Sequence, residues 1–198
     1  MRRSALVLGL TCTAFLARGD QLLLMPTGRR LPSGEIRGEL WTGRQLAAGT
    51  LSAGIAQAWE AQLTLDRFGV DPGRPTGSVA YYYLSPIADI TPGISGGILD
   101  AANGTTDGRR VYACATMNRA PAMLERLGYV ELTAGFEVGR RSGPMAGFKA
   151  PIARGFSVLA EYDGFRFNAG VEARIGDGAF VRVAVRGGVG YLVIGFRS

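Results

Sequence analysis

Six polar or charged side chains lie close together in one short stretch of the sequence. The stretch reads FSVLAEYDGFRFNAGVEARI and contains Glu161, Asp163, Arg166, Asn168, Glu172 and Arg174. Paired carboxylates can act as general acid and base. The chain has no histidine, however, which removes Ser/His and Cys/His nucleophiles and most zinc sites. We therefore interpret these charges as lining the inside of a structure rather than forming an active site. The protein is predicted not to be an enzyme.

The residues of this stretch alternate between apolar and polar. From Phe165 to Ile175 every odd position is apolar and every even position is polar or glycine. A period of two is typical of a β-strand with one apolar face. The same pattern recurs at Ala61–Leu65, Val130–Val138 and Ala179–Val185. Alternation is thus a property of the whole chain.

Alternating runs bounded by turn residues predict about twelve strands. They are placed at 34–42, 49–58, 60–68, 77–84, 90–99, 109–118, 128–139, 144–151, 156–163, 165–175, 179–186 and 189–197. Tight connections such as Asp163-Gly164, Gly176-Asp177-Gly178 and Gly187-Gly188 favour hairpins between neighbouring strands. The segment PAMLERL, within residues 118–128, predicts one or two helical turns between strands.

The first twenty residues, MRRSALVLGLTCTAFLARGD, have a basic start and an apolar core too short to span a membrane. They predict a secretory signal peptide over residues 1–19, leaving a single domain over residues 20–198. A lipoprotein signal ending at Cys12 is the alternative. Removal of the three arginines in this segment lowers the formal net charge from +6 to +3. Cys114 then remains as the only cysteine, so no internal disulfide is expected.

A meander with one apolar face can be a membrane barrel with lipid outside, or a soluble carrier barrel with an apolar interior. The outer face of a soluble barrel is usually rich in lysine, yet Lys149 is the only lysine here. We therefore predict an all-β fold: an antiparallel up-and-down transmembrane β-barrel of about 12 strands (10–12), in the outer membrane. Aromatic girdles would include Trp41, Trp59 and Tyr81 to Tyr83. The apolar strand GYLVIGFRS would close the barrel and be read by the barrel-insertion machinery.

In such a barrel the polar face lines the lumen. The candidate lumen-lining residues are Glu161, Arg166, Asn168, Glu172, Arg174 and Arg182. Opposite charges on neighbouring strands would pair across the hairpin. Such pairs can stiffen and fill the lumen, or they can line a narrow pore that selects solutes. Both interpretations stay open, because twelve strands lie between filled and open barrels.

Other motifs give weaker signals. The loop LDAANGTTDG lacks the residue order of a calcium-binding loop. The chain has no P-loop or dinucleotide fingerprint, and its basic residues alternate with acids rather than forming a stripe. No cofactor, no metal and no nucleic acid partner are predicted.

Several segments resemble one family of exported barrels. These are PTGRRLPSGE, LSAGIAQAWEAQLTLD, TDGRRVYACAT, GPMAGFKAPI and LAEYDGFRFNAGVEARI. Together they resemble the YjbH-like, exopolysaccharide-associated outer membrane β-barrel proteins. The resemblance implies a non-enzymatic barrel in contact with outer membrane lipid, and polysaccharide or export components as partners. The functional alternatives are a narrow channel or accessory of envelope export, a structural barrel with a plugged lumen, a soluble carrier of an apolar ligand, and a lipid-modifying enzyme, which the missing histidine disfavours.

Overall fold

A computed structural model of the chain describes residues 22–44, 46–68, 74–105, 107–124, 127–140 and 142–198. The predicted signal peptide lies outside these residues. The described residues form twelve strands and one 3₁₀ turn, Ala122–Leu124. The strands are β1 (Ile36–Gly43), β2 (Leu46–Ile55), β3 (Trp59–Phe68), β4 (Thr76–Leu84), β5 (Gly93–Leu99), β6 (Arg110–Arg119), β7 (Val130–Gly139), β8 (Gly143–Ala153), β9 (Phe156–Tyr162), β10 (Phe167–Ile175), β11 (Ala179–Arg186) and β12 (Val189–Arg197).

Each strand pairs antiparallel with the next along the chain, and β12 pairs with β1 to close the sheet into a barrel. The predicted all-β, up-and-down barrel is therefore confirmed. Because the strand number is even, the start of β1 and the end of β12 lie at one end of the barrel, here named the first end. It holds Ile36 and Arg197, and the opposite, second end holds Gly43 and Val189.

The closing strand β12 ends in a charged residue, Arg197, whose partner lies directly before β1. Arg197 forms an ion pair with Glu35, with Nη2 and Oε2 2.6 Å apart. The backbone N–H of Ser198 donates to the carbonyl of Ile36 at 3.1 Å. These two contacts extend the seam between β12 and β1 beyond the last ladder pair at the first end.

The apolar alternate positions of the strands point away from the lumen. Leu40 is 68% exposed and Val183 is 62% exposed. Further exposed apolar side chains around the ring are Leu51, Leu63, Val79, Ile98, Val111, Phe136, Phe148, Val171 and Ile194. A carrier barrel requires the opposite arrangement, with these side chains inside. No helix among the described residues is long and apolar enough to cross a membrane.

Several strand boundaries differ from the prediction by a few residues, two of them because of turn chemistry. The prediction starts a strand at residue 165, but β10 starts at Phe167. The side chain of Asp163 accepts hydrogen bonds from the backbone N–H groups of Phe165 (3.1 Å) and Arg166 (2.8 Å), which makes a four-residue turn. The strand predicted at 49–58 ends at Ile55, because Ala56 adopts a positive φ of 53° and starts a turn.

The aromatic residues predicted to form membrane girdles divide between the two faces. Trp41 and Tyr82 are 5% and 9% exposed and point inward. Trp59, Tyr81 and Tyr83 are exposed, and the rings of Trp59 and Tyr81 lie 4.9 Å apart across β3 and β4. The girdle prediction was wrong for Trp41 and Tyr82, because neighbouring residues of a strand point to opposite faces and these two lie on the inner face.

Candidate functional site: the barrel lumen

The lumen is occupied by the chain's own N-terminal segment, defined here as residues 22–35. Leu22, Leu23, Met25 and Leu31 are each at most 2% exposed. A barrel of twelve strands is wider than one of eight, which side chains alone can fill, so an extended segment can be accommodated. The segment begins beside Glu161, near the second end of β9, and reaches the first end before it enters β1. Its two prolines, Pro26 and Pro32, cannot donate to a strand ladder.

Glu161 holds the start of the segment. Its side-chain Oε2 accepts from the backbone N–H of Leu23 at 2.8 Å and of Met25 at 3.1 Å, and its Oε1 accepts from the N–H of Leu24 at 3.0 Å. Asn168 on the neighbouring strand adds a fourth donor, with Nδ2 and Oε1 3.0 Å apart. Successive backbone N–H groups that converge on one carboxylate form an anion-binding nest. Both carboxylate oxygens of Glu161 therefore accept hydrogen bonds, although the residue is only 1% exposed.

The middle of the segment is held by hydroxyl groups of β5 and β6. The backbone N–H of Gly28 donates to Oγ1 of Thr116 at 2.6 Å. Ser95 donates from Oγ to the carbonyl of Thr27 at 2.9 Å. Both hydroxyl side chains are at most 2% exposed. The polar groups of the segment thus find partners on the wall, as burial of a backbone requires.

Glycines on the wall give the segment room. A Cβ atom added at Gly147 would lie 2.6 Å from Cδ1 of Leu22, and one at Gly54 would lie 2.7 Å from the carbonyl oxygen of Leu31. A Cβ at Gly93 would overlap the backbone of Gly28. Each distance is shorter than real Cβ contacts allow. These glycines therefore allow the backbone of the N-terminal segment to lie close to the backbone of the barrel wall.

Acidic side chains hold the segment at the first end. Arg29 forms an ion pair with Glu131 on β7, with Nη1 and Oε2 2.6 Å apart. The backbone N–H of Leu31 donates to Oε2 of Glu60 at 3.2 Å, and the hydroxyl of Tyr82 donates to the same oxygen at 2.9 Å. The segment consequently contacts β3, β5, β6, β7 and β9, on several sides of the lumen.

A separate cluster of buried charges lies on β8, β10 and β11. Glu172 is 3% exposed and pairs with Arg182 at 2.7 Å and with Lys149 at 2.9 Å. Removing one member of such a buried group leaves an uncompensated charge, which is costly. Glu172 and Arg182 are direct register partners on neighbouring strands. Their ion pair is an example of the pairing of opposite charges that is predicted between neighbouring strands.

The loop between β5 and β6 folds across the second end. Oδ2 of Asp107 lies 2.9 Å from Nη2 of Arg186, and its Oδ1 lies 3.5 Å from Nη2 of Arg166. Arg186 ends β11, which is five strands away from β6 around the ring. These ion pairs tie the loop to the far wall, so residues 100–105 and 107–109 form a cap over the mouth.

The base of this cap is a cluster around Asp100. Its carboxylate accepts from the hydroxyl of Thr76, from the backbone N–H of Gly104 at 2.6 Å, and from the N–H (2.8 Å) and hydroxyl (2.6 Å) of Thr105. Burial raises the pKa of this carboxyl, but the hydrogen bonds from Thr105, Thr76 and Gly104 outweigh burial and lower the pKa from its ordinary value of 3.8. The ionised form of Asp100 is therefore the form that organises the loop.

Cavities remain beside the segment in the part of the chain that the structure describes. One of about 110 Å³ lies under the cap, with Trp41, Gln62, Asp100 and Arg186 among its lining residues. Another, of about 20 Å³, has room for about one water molecule and adjoins Pro26 and Glu60. Within the described ranges no group of three or more His, Cys, Asp or Glu side chains could hold a metal ion.

The candidate lumen-lining residues have different surroundings. Glu161, Asn168, Glu172 and Arg182 are buried on the inner face, at most 3% exposed. Arg166 lies in the turn before β10 and reaches the cap, whereas the side chain of Arg174 is 54% exposed at the first end. Whether any of them lines a path for solutes stays a prediction.

The N-terminal segment itself was not predicted as a lumen element. Its one sequence signal is the run LLLMP directly after the predicted signal peptide, which is apolar without alternation and ends in proline. A run of that kind cannot be an outward-facing barrel strand, yet it must be buried somewhere.

Comparisons with known proteins support the fold. No protein-family model matches the chain, and no curated protein matches it. Among solved structures, the chain is similar to one described as "KdgM porin", with a TM-score of 0.55 and 12% identity over 82% of this chain and 97% of that one. It is also similar to one described as a NanC porin structure, with a TM-score of 0.43 and 10% identity over 83% and 98% of the two chains. The first likeness shows that the chain has the closed twelve-stranded barrel fold of a porin.

Proposed function

We propose that the protein is a non-enzymatic outer membrane barrel whose channel is closed at rest by its N-terminal segment. Two findings support a membrane location. Apolar side chains cover the outer surface of the ring, where lipid would solvate them. The fold is that of a porin, a membrane channel, and the predicted signal peptide supplies the export that an outer membrane protein needs.

The observation that carries the closed state is the nest of backbone N–H groups around Glu161. Hydrogen bonds to a charged group contribute about 1.5–3 kcal/mol each. Three of them, together with the Arg29–Glu131 ion pair, hold the segment in place more firmly than apolar contact alone. Passage of a solute would require the segment to move or leave the lumen, so the plugged barrel is favoured over a permanently open narrow channel.

An accessory role in envelope or exopolysaccharide export is the finer proposal, and it rests on the resemblance to YjbH-like barrels. The partners would be polysaccharide or export components at either mouth, and the barrel-insertion machinery during assembly. Expression of the full chain in a polysaccharide-secreting Gram-negative strain that lacks its own homologous barrel tests this role. Restored secretion would support it, and unchanged secretion with a correctly inserted barrel would contradict it.

Location is tested by expressing the full chain in a Gram-negative host and separating the membranes. A folded barrel is expected in the outer membrane fraction, with a gel mobility in SDS that shifts on boiling. A heat-insensitive protein in the soluble periplasm would contradict the membrane location.

Solute passage is tested by swelling of liposomes that contain the purified, refolded barrel. The full chain is expected to admit small neutral sugars poorly, and a variant lacking residues 22–31 is expected to admit them readily. A heat-shift gel on each preparation confirms that the barrel has folded. If the deletion prevents folding, the Glu161→Gln variant, which keeps the whole segment, provides the second comparison. Equal swelling by all folded variants would contradict the plug.

A further inference from the structure

Three arginines at the second end are exposed and have no acidic partner among the described residues. Arg44 follows β1, Arg109 precedes β6 and Arg140 follows β7, each one residue beyond its strand. Side chains along a strand alternate between the lumen and the outside. Trp41, Arg110 and Glu137 face the lumen on β1, β6 and β7. Arg44, Arg109 and Arg140 each lie an odd number of positions from these residues, so they share the outward side with neighbours such as Thr42. They therefore lie at the edge of the apolar outer surface.

Arg109 and Arg140 are also neighbours across two strands. β6 and β7 pair through Arg110 and Gly139, and continuing that register by one position places residues 109 and 140 opposite each other. The Cβ and Cδ atoms of Arg140 lie 3.5 Å from the point where a Cβ at Gly108 would be, so the side chain lies along the backbone before Arg109. Like charges opposite each other destabilise a sheet unless an anion lies between them.

The first end is different. There Arg119 pairs with Asp89 at 3.7 Å, Arg197 pairs with Glu35 at 2.6 Å, and Arg174 approaches Glu172 at 3.7 Å. Arg154, in the turn between β8 and β9, is exposed at this end. Among the described residues, the second end therefore carries Arg44, Arg109 and Arg140 without an acidic partner, whereas most arginines of the first end have one and Arg154 does not.

We propose that Arg44, Arg109 and Arg140 bind phosphate groups of lipid headgroups in the leaflet at the second end, with Arg109 and Arg140 holding one phosphate between them. The guanidinium group presents paired donors that match phosphate oxygens, and juxtamembrane arginines are attracted to anionic lipid surfaces. The inference rests on the proposed membrane location. It adds a lipid class, anionic phospholipids, that would bind at the second end.

The test uses the full mature chain refolded into vesicles of phosphatidylcholine, with or without a minor fraction of phosphatidic acid. The measured quantity is the temperature at which the gel-mobility shift occurs. Phosphatidic acid is expected to raise this temperature for the wild type and for the control double variant Arg154→Gln/Arg174→Gln. The Arg109→Gln/Arg140→Gln variant is expected to lose most of that rise in temperature. The triple variant that also carries Arg44→Gln is expected to lose the remainder.

Four results would count against the proposal or its basis. An equal rise in the Arg109→Gln/Arg140→Gln variant would overturn the phosphate site, as would an equal loss in the first-end control, which would indicate attraction by net charge alone. Folded, heat-shifting wild type with no dependence on phosphatidic acid would overturn the lipid inference and leave the membrane barrel standing. No insertion into either vesicle would overturn the membrane location as well.

Discussion

The carboxylate of Glu161 and the backbone nitrogen of Leu23 lie 2.8 Å apart, although 138 positions separate the two residues. The contact joins the start of the described chain to the ninth strand through the lumen. Glu161 thus belongs to neither an active site nor a simple ladder of charged pairs. Its role is to anchor a segment that fills the barrel.

Replacing Glu161 with glutamine should loosen this anchor. The amide keeps one acceptor oxygen and places an NH2 group where the other oxygen was, so at least one of the three backbone N–H groups loses its acceptor. The expected loss is at least about 1.5 kcal/mol, which corresponds to a roughly tenfold or greater acceleration of segment opening. Amide hydrogen exchange at Leu23, Leu24 and Met25 in the folded barrel measures that opening. The matched control is Glu172→Gln, which alters an equally buried carboxylate whose ion pairs are with Arg182 and Lys149. Faster exchange in the control and not in Glu161→Gln would contradict the anchor.

Adding one methyl group to the wall should displace the segment. In Gly54→Ala the new Cβ would lie within 2.7 Å of the Leu31 carbonyl oxygen, and overpacking of this kind costs about 1–3 kcal/mol. Gly49→Ala, on the same strand, meets only Cδ2 of Leu40 at 3.6 Å and should change the free energy of unfolding by less than about 0.5 kcal/mol. Urea unfolding in vesicles measures both. Equal stability of the two variants would mean that the segment does not pack against Gly54.

Removing the charge of Asp107 should release the cap. Asp107→Asn breaks the ion pairs to Arg186 and Arg166, so the cap opens more often. Trypsin cleavage after Arg109 is expected to accelerate roughly tenfold, because cleavage follows the population of the open form. Asp89→Asn, which breaks the exposed pair with Arg119 at the first end, is the control. Unchanged cleavage in Asp107→Asn would show that the loop is held by other contacts.

The cap should also respond to acid in a defined direction. The pKa of Asp100 is lower in the folded protein than its ordinary value of 3.8, so its contribution to stability is complete above that value and is lost as the pH falls through the lower, folded pKa. The difference in unfolding free energy between wild type and Asp100→Asn should therefore be constant near neutral pH and shrink only in strong acid. Urea titrations at several pH values give this difference. A difference that grows in acid would contradict the assigned direction.

The twelve strands follow from the sequence because alternation reports which residues of a strand face outward, a local property. The pairing of Asn168 with Glu161 follows for the same reason, since the two residues flank one turn. The position of the N-terminal segment in the lumen does not follow from the sequence, because its partners on the wall are hydroxyls, glycines and a carboxylate far away in the chain. The cap is similar: nothing near Asp107 in sequence indicates Arg186.

The most direct test of the plug is single-channel conductance in planar bilayers, with the full mature chain and the variant lacking residues 22–31 compared at the same salt concentration. Both proteins are first shown to be folded by the heat-dependent gel shift. A barrel closed by its N-terminal segment predicts little current through the full chain and discrete, larger openings through the shortened one. Stable openings of the same size in both proteins would contradict the plug.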